Sequence, residues 1–324
     1  MLRRLWSRID PFILILLGLV ALASVAPARG QFAQAVALAA DGFIVLLFFF
    51  HGAKLSRHAI IDGFSNLRLH GAVLFTTFAI FPLLGLGIHH ALAGQIGQGL
   101  LDGLLFVCLL PSTVQSSIAF TAIARGNVAA AVCSASFSSL LGVFLTPLLV
   151  AVMLGGAAQI SAQAVERIAF QLLLPFIVGH LARPLLAKWI DRHRKAVSRI
   201  DRTSILLVVY SAFSASVVQG LWQSVEVADL LAVLALSGAL LAIVLSLTWW
   251  GGKAMGLTRP DRVVLLFCGS KKSLATGVPI ASTLFPAAVL GPVLLPVMLF
   301  HQLQLIVCAF IAQHLARRNE DPSA

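Results

Sequence analysis

The chain consists largely of apolar runs that are long enough to cross a lipid bilayer as α-helices. A spanning helix needs about 20 predominantly apolar residues, and runs of that length recur along nearly the whole sequence. Charged residues make up only 11% of the chain, whereas soluble domains carry about 25%. A β-barrel would instead show short segments of alternating polarity. The sequence therefore predicts an all-α polytopic membrane protein.

Ten of these runs are predicted transmembrane helices, called here spans one to ten. They start with a run from residue 11 and continue at about residues 32–52, 67–89, 97–124, 128–154, 165–186, 204–221, 227–250, 263–284 and 293–315. The first run, with the small residues 24–28 after it, also resembles a secretory signal. A proline beside that cleavage point and the similar runs that follow favour a membrane helix.

The positive charges support this count, because they fall on one side of the predicted membrane. Of the 23 lysines and arginines, only Arg29 and Arg167 lie on the far side, and Lys271 and Lys272 lie within span nine. Cytoplasmic loops carry such an excess of positive charge. We expect a multi-pass protein of the cell inner membrane with both termini in the cytoplasm. The net charge of +11 then needs no nucleic acid partner.

The chain divides near residue 162 into two halves of five spans each. An odd number of spans gives the two halves opposite orientations, which is the arrangement of an inverted repeat. We predict a first repeat at residues 1–162, a second at residues 163–316, and a polar cytoplasmic tail at residues 317–324. The fourth span of each half, spans four and nine, carries a polar interruption at a matching place.

Span nine contains two adjacent lysines, Lys271 and Lys272, near the middle of its apolar run. A charge at that depth costs about 3 kcal/mol on insertion scales, so such residues usually face a protein interior or a watery cavity. Gly269 is the predicted helix break, and Ser270 and Ser273 flank the lysines. The alternative is a lysine pair at a membrane edge whose long side chains reach the headgroups.

Span four is interrupted by Pro111, which lacks a backbone N–H and clashes with the preceding turn. The residues that follow are rich in hydroxyl and amide groups: Ser112, Thr113, Gln115, Ser116 and Ser117. An ordinary proline kink eased by Ser and Thr is the alternative. A kink does not require so many polar side chains, so we interpret the segment as part of a site.

If spans four and nine cross at their interruptions, two half-helix N-termini meet beside the lysines. Their free N–H groups and the positive ends of their dipoles suit an anion. We predict an anion site formed by Ser112, Thr113, Gln115, Ser116, Ser117, Ser270, Lys271, Lys272 and Ser273. Burial favours a neutral lysine amine, so a proton stands beside sodium as a candidate coupling ion.

Other kinds of site have little support in the sequence. No cofactor or metal site is predicted, since the cysteines lie in apolar runs without metal-binding spacing: Cys108, Cys133, Cys268 and Cys308. An intramembrane enzyme would need a cluster of catalytic groups. The carboxylates near the span ends are scattered instead: Asp41, Asp62, Asp102 and Glu166.

These features resemble the bile acid:sodium symporter family, and most closely its SBF-like branch, which includes the vertebrate solute carrier 10 member 7. The resemblance covers essentially the whole chain, and its most specific segments are residues 111–117, 124–127, 267–279 and 300–304. It implies ten helices, a core domain and a panel domain, a crossing of helices four and nine, and alternating access.

The likeness ends where sodium coupling is decided. Well-studied members carry a glutamate in the broken ninth helix, whereas Gly269 and the residues up to the lysine pair occupy that region here. A sodium-binding Ser-Asn pair of those members corresponds to Ser116 and Ser117, and two further hydroxyl ligands correspond to Ala131 and Ala135. We expect at least one of the lysines to do the work of a bound cation.

The sequence therefore predicts a secondary active transporter of a small organic anion that works by alternating access and does not require sodium. One alternative is a sodium-dependent symporter that holds its ion on backbone carbonyls. The others are a regulatory membrane protein without transport and an intramembrane enzyme. The predicted partners are the anion and the lipid bilayer, while the oligomeric state cannot be predicted from the sequence.

Overall fold

A computed structural model describes residues 11–54, 66–155, 166 and 168–317 of the chain. Within these ranges the secondary structure is helical and contains no β-strand. This confirms the predicted all-α class. The predicted boundary between the repeats near residue 162 and nearly all of the predicted tail, residues 318–324, lie outside the described residues.

We number the described helices in chain order. They are α1 Pro11–Val25, α2 Gly30–Lys54, α3 Leu67–Ala91, α4 Gln98–Leu109, α5 Val114–Ile123, α6 Val128–Met153, α7 Ile168–Arg192, α8 Arg194–Val218, α9 Leu221–Ser224, α10 Val227–Ala254, α11 Arg259–Gly269, α12 Leu274–Leu284 and α13 Ala287–Arg317. Two of them contain a π-helical turn, at Thr76–Ile80 in α3 and at Ile168–Leu173 in α7.

Eight helices in the described part of the chain are long and apolar enough to cross a membrane, when α11 and α12 are counted together as one. The pair α4 and α5, which is bent by 61° at its break, adds a ninth. The apolar helix α1 is shorter, with 15 residues. The protein is thus a multi-span helical membrane protein, and the count of ten spans stays a prediction.

The basic stretch before the predicted seventh span is helical rather than a loop. Helix α8 begins at Arg194, ten residues before the predicted start of its apolar run, and α7 continues to Arg192. Lysine and arginine are good helix formers, and nothing in their chemistry ends a helix where the apolar run ends. Only His193 separates the two helices.

The chain packs as two compact units, and each contains segments from both halves of the sequence. The first comprises residues 11–54, 166–225 and 278–294 among those described. In it α2 packs against α7 and α8, and α1 packs against α8. Gly52 and Gly179 bring α2 and α7 so close that a Cβ on either glycine would collide with a backbone carbonyl of the other helix. Lys54, at the end of α2, forms an ion pair of 2.7 Å with Asp201 of α8.

The second unit comprises the described residues within 66–155, 226–277 and 295–317. Its central element is α11, which packs against α3, α5, α6 and α10. The apolar window of the span formed by α11 and α12 is 94% buried, whereas the windows of the other seven spans are between 22% and 50% buried. A span enclosed to this degree faces protein rather than lipid, which is where a buried charge can be held.

Candidate functional site

Two helices of the second unit are interrupted, and each interruption is four residues long. Residues 110–113 separate α4 from α5, and residues 270–273 separate α11 from α12. Pro111 accounts for the first break, because it offers no N–H to the preceding turn. At the second break the Ser270 hydroxyl donates to the Leu266 carbonyl, one of the acceptors that the end of α11 leaves open.

The two interruptions are hydrogen-bonded to each other. The Ser273 N–H donates to the Pro111 carbonyl at 2.9 Å, and the Thr113 hydroxyl donates to the Lys272 carbonyl at 2.7 Å. One turn further along α5, the Ser117 hydroxyl donates to the Phe267 carbonyl at 3.1 Å. Each unwound segment thus supplies partners for the other, which an interrupted helix in lipid requires.

The open end of α4 and the start of the break are satisfied by groups from helix α6 and from the second break. Thr146 of α6 donates its hydroxyl to the Leu109 carbonyl at 2.8 Å, and the Lys272 ammonium donates to the carbonyls of Cys108 and Leu110. The Ser112 N–H, which an unbroken helix would direct to Cys108, donates to the Ser138 hydroxyl at 3.0 Å. The Ser112 N–H and the carbonyls from Cys108 to Pro111 are thus paired although the helix is interrupted here.

Lys272 is buried, and the hydrogen-bond acceptors of its ammonium group among the described residues are all backbone carbonyls. Nζ donates to the carbonyls of Thr77, Cys108 and Leu110 at 2.8, 2.8 and 2.7 Å. The ring of Phe81 lies beneath it, with 4.2 Å between Nζ and the ring centroid. A lysine ammonium has three donors, and all three are used here. Lys272 is thus fully coordinated by the protein.

Gln304 of α13 fixes the backbone of the same residue. Its side-chain carbonyl accepts from the Lys272 N–H at 2.8 Å, and its amide donates to the Lys272 carbonyl at 2.7 Å. The amide nitrogen also lies 2.9 Å from Nδ1 of His301. Gln304 is not among the residues predicted for the site. The signal that could have found it is a glutamine in the middle of an apolar helix.

Lys271 is fully buried as well, but its surroundings differ. Its ammonium nitrogen has no hydrogen-bond partner among the described residues. It lies 4.1 Å from the centroid of the Phe120 ring. A buried charge without a partner is costly. Of the two lysines, Lys271 is the one with donors to offer a ligand.

Three of the nearby hydroxyl groups also lack a hydrogen-bond partner in the described part of the chain. They belong to Ser112, Ser116 and Thr121, and all three oxygen atoms are buried. Ser116 lies four residues before Phe120 on α5, so the two side chains share one face of the helix. Because the Lys271 ammonium lies over the Phe120 ring, Ser116 is on the face of α5 that is turned towards this lysine.

The remaining predicted residues are placed less favourably for a ligand. Gln115 is exposed. The hydroxyls of Thr113, Ser117 and Ser270 are bound to backbone carbonyls, and that of Ser273 donates to Thr276 within the first turn of α12. The predicted residues therefore lie around one pair of breaks. Of these, Ser112, Ser116 and Lys271 have a buried polar group without a hydrogen-bond partner among the described residues.

The side chains that usually bind metal ions do not cluster in the described residues. Those residues contain no group of three or more histidine, cysteine or acidic side chains that could hold a metal ion. The four cysteines are buried in their apolar helices. The chemistry available at the breaks is therefore that of an ammonium group, hydroxyls and helix termini.

The sequence profile of the SBF-like CPA transporter family matches residues 10–317. The chain belongs to this family. The predicted resemblance to the SBF-like branch is thereby confirmed, and the protein is a member of a family of membrane transporters that act on small molecules. The match covers every described helix, so it includes both interrupted segments.

Individual relatives match most of the chain. An uncharacterized protein of Pseudomonas aeruginosa is 50% identical over 317 residues, which cover 97% of this chain and 95% of that protein. YfeH of Escherichia coli strain K12, whose name gives it only provisionally as a symporter, is 48% identical over 323 residues, covering 99% and 97%. Sodium/bile acid cotransporter 7 of Rattus norvegicus is 25% identical over 272 residues, covering 82% and 79%.

Proposed function

We propose that the protein is a secondary active transporter of a small organic anion and that it has no enzymatic activity. The observation that carries this proposal is the Lys271 ammonium, which is fully buried and has no hydrogen-bond partner among the described residues. An anion supplies both a counter-charge and acceptors for three donors. Because the protein belongs to a transporter family, we expect an anion bound here to be carried across the membrane.

The polarity of the breaks also favours an anion. Helices α5 and α12 begin at Val114 and Leu274, directly after the two interruptions. The first N–H groups of a helix and the positive end of its dipole stabilise negative charge within about one turn. Ser116, with a hydroxyl that no described residue engages, lies in that first turn of α5. An organic anion could therefore bind its charged group between Lys271 and the start of α5.

The architecture supports transport by alternating access. The two interrupted helices, which the sequence predicts as the fourth span of each half, are hydrogen-bonded at their breaks. The division into two compact units supports a core domain and a panel domain, and adding the short helix α1 to the nine candidate spans would make ten. The excess of positive charge on one side supports an inner-membrane protein with both termini in the cytoplasm.

A sodium symporter with its ion on backbone carbonyls is the second candidate. The end of α4 and the π-helical turn of α3 offer carbonyls for such an ion, but the Lys272 ammonium engages those of Thr77, Cys108 and Leu110. Like charges at one set of ligands repel each other. We therefore favour transport without sodium. A regulatory protein without transport would bind an anion but not move it.

Binding and flux measured on the same purified protein test the proposal. Thermal-shift screening against carboxylates and sulfonates, with bile salts among them and cationic amines as the opposite-charge control, identifies a stabilising anion. Lys271→Gln should reduce binding of that anion at least about tenfold, because a charge-assisted hydrogen bond contributes about 1.5–3 kcal/mol. Lys253→Gln, on the end of α10, is the matched control and should bind normally.

Flux then separates a transporter from a binding protein. Proteoliposomes with an imposed proton gradient should accumulate the identified anion, equally well in sodium chloride and in choline chloride. Anion binding without flux would indicate a regulatory protein that does not transport. Uptake that requires sodium would favour a symporter that holds its sodium ion on backbone carbonyls. Uptake of the anion by Lys271→Gln at the parental rate would refute the site proposed here.

A further inference from the structure

We infer that the Lys272 ammonium occupies a built-in site for a monovalent cation, formed by the backbone carbonyls of Thr77, Cys108 and Leu110. The protein would thereby carry its own cation at the break, and removing the lysine side chain would open the site to an alkali metal ion. Cation binding at this position does not depend on the identity of the transported anion. It can be measured on the protein in detergent.

The three carbonyls converge because the helices that carry them leave them without helical donors. Cys108 and Leu110 are at the end of α4, where the last carbonyls of a helix lack partners and the dipole is negative. Thr77 is in the π-helical turn, whose closing bond runs from the Phe81 N–H to the Thr76 carbonyl. In that pattern the donor for Thr77 would come from Pro82, which has no N–H.

Backbone carbonyl oxygens at a single point are the ligands that proteins use for monovalent cations, since they replace the hydration shell of the ion. The three oxygens lie 2.7 to 2.8 Å from Nζ, so they surround it at the distance of good hydrogen bonds. The face of the Phe81 ring, 4.2 Å away, adds further negative potential. The site therefore favours a positive charge, whether an ammonium group or an alkali metal ion provides it.

Lys271 provides the internal contrast. It is the next residue in the chain and equally buried, but its ammonium nitrogen contacts no carbonyl at hydrogen-bond distance among the described residues. The difference arises because the backbone is unwound at the break, where Gln304 holds both backbone groups of Lys272. The Lys272 ammonium group thus lies among the three carbonyls, whereas the Lys271 ammonium group lies over the Phe120 ring.

The test removes the tethered ammonium and offers free ions in its place. The melting temperature of purified Lys272→Ala is compared in sodium chloride, potassium chloride and N-methyl-D-glucamine chloride at equal ionic strength. Sodium or potassium should raise it by about 5 °C at a concentration about 100-fold above the dissociation constant. The parent protein should melt at one temperature in all three salts, because its own ammonium group fills the site.

Two variants act as matched controls. Lys271→Ala removes an equally buried lysine with no bond to the carbonyls, so its melting temperature should not distinguish sodium or potassium from N-methyl-D-glucamine. Lys272→Met keeps most of the side-chain volume without the charge, so it should leave no room for an ion and should show no cation-specific stabilisation. Stabilisation confined to Lys272→Ala is the expected result.

Three outcomes would overturn the inference. One is a Lys272→Ala protein that melts identically in all three salts, and another is a parent protein that sodium or potassium stabilises selectively. The third is failure of Lys272→Ala to accumulate in cells, because cytoplasmic potassium should replace the missing ammonium group. Anion binding is scored separately on the parent protein, so failure of the proposed transport function would leave the cation result readable.

Discussion

The side-chain amide of Gln304 is hydrogen-bonded to both backbone groups of Lys272, to the N–H at 2.8 Å and to the carbonyl at 2.7 Å. The amide thereby replaces the helical partners that the break between α11 and α12 removes. It also determines where the Lys272 side chain starts, and so which way its ammonium group can extend. Helix α13 thus stabilises the break between α11 and α12.

Gln304→Leu should therefore destabilise the protein and disturb Lys272. The buried Lys272 N–H loses its partner, which costs about 1–3 kcal/mol, and the Lys272 carbonyl keeps only the Thr113 hydroxyl. We expect a clear fall in the melting temperature in detergent. Gln302→Leu, two residues earlier on α13 and half-buried, is the control and should change it little. Equal melting temperatures for both variants would contradict the supporting role of Gln304.

Much of the fold could be predicted from apolar length alone. Helices α2 and α6, at Gly30–Lys54 and Val128–Met153, lie within a few residues of the predicted spans at 32–52 and 128–154. Hydropathy could not predict where a helix continues beyond the apolar run, as α8 does from Arg194. In that stretch the charged residues favour helix as much as the apolar ones do.

The candidate site was predictable in position but not in the roles of its residues. Pro111 and the lysine pair identify the two breaks, since both are costly in an apolar span. Nothing in the sequence distinguishes Lys271 from Lys272, because the difference depends on carbonyls from a π-helical turn and from the end of α4. Those acceptors are backbone atoms, which every residue possesses, so side-chain patterns cannot reveal them.

Gly142 of α6 should be sensitive to any side chain. A Cβ at this position would collide with the ring of Pro111, and the neighbour is a rigid ring at the break rather than a flexible side chain. Overpacking of this kind costs about 1–3 kcal/mol, so Gly142→Ala should lower the melting temperature.

Gly87→Ala in α3 is the matched control, because nothing lies within 4 Å of its Cβ position. Alanine is also the better helix former, so this variant should be neutral or slightly stabilising. If Gly142→Ala were as stable as Gly87→Ala, the contact between α6 and the Pro111 break would not constrain the fold.

The ion pair between Lys54 and Asp201 should contribute more than a surface pair of the same length. Both this pair and that between Arg194 and Asp191 measure 2.7 Å. The side chains of the first are 33% and 12% exposed, and those of the second are 77% and 65% exposed. Removal of one partner from a mostly buried pair leaves an uncompensated charge, whereas an exposed pair is worth about 0–1 kcal/mol.

Double-mutant cycles with alanine at each position measure the two coupling energies from melting temperatures or denaturant midpoints. We expect about 1–3 kcal/mol for Lys54 and Asp201 and less than about 0.5 kcal/mol for Arg194 and Asp191. High salt should weaken the second further and affect the first little. Equal couplings would show that burial of Asp201 does not strengthen its pair with Lys54.

Substitution of the adjacent serines of α5, Ser116 and Ser117, should separate a structural role from a ligand-binding role. The Ser117 hydroxyl donates to the Phe267 carbonyl at 3.1 Å, while the Ser116 hydroxyl has no partner among the described residues and lies on the face of Phe120 and Lys271. Ser117→Ala removes the partner of a buried carbonyl, so it should cost about 1 kcal/mol of stability. It should leave anion affinity nearly unchanged once the protein is folded.

Ser116→Ala should do the reverse, because its hydroxyl makes no bond that the folded protein would lose. We expect a melting temperature within experimental error of the parent and an anion affinity lowered about five- to tenfold, which corresponds to one hydrogen bond of about 1–1.4 kcal/mol. Thermal melting without ligand and anion titration by calorimetry measure the two effects on the same preparations. A Ser116→Ala protein that binds the anion like the parent would remove this hydroxyl from the site and leave Lys271 as its polar contact.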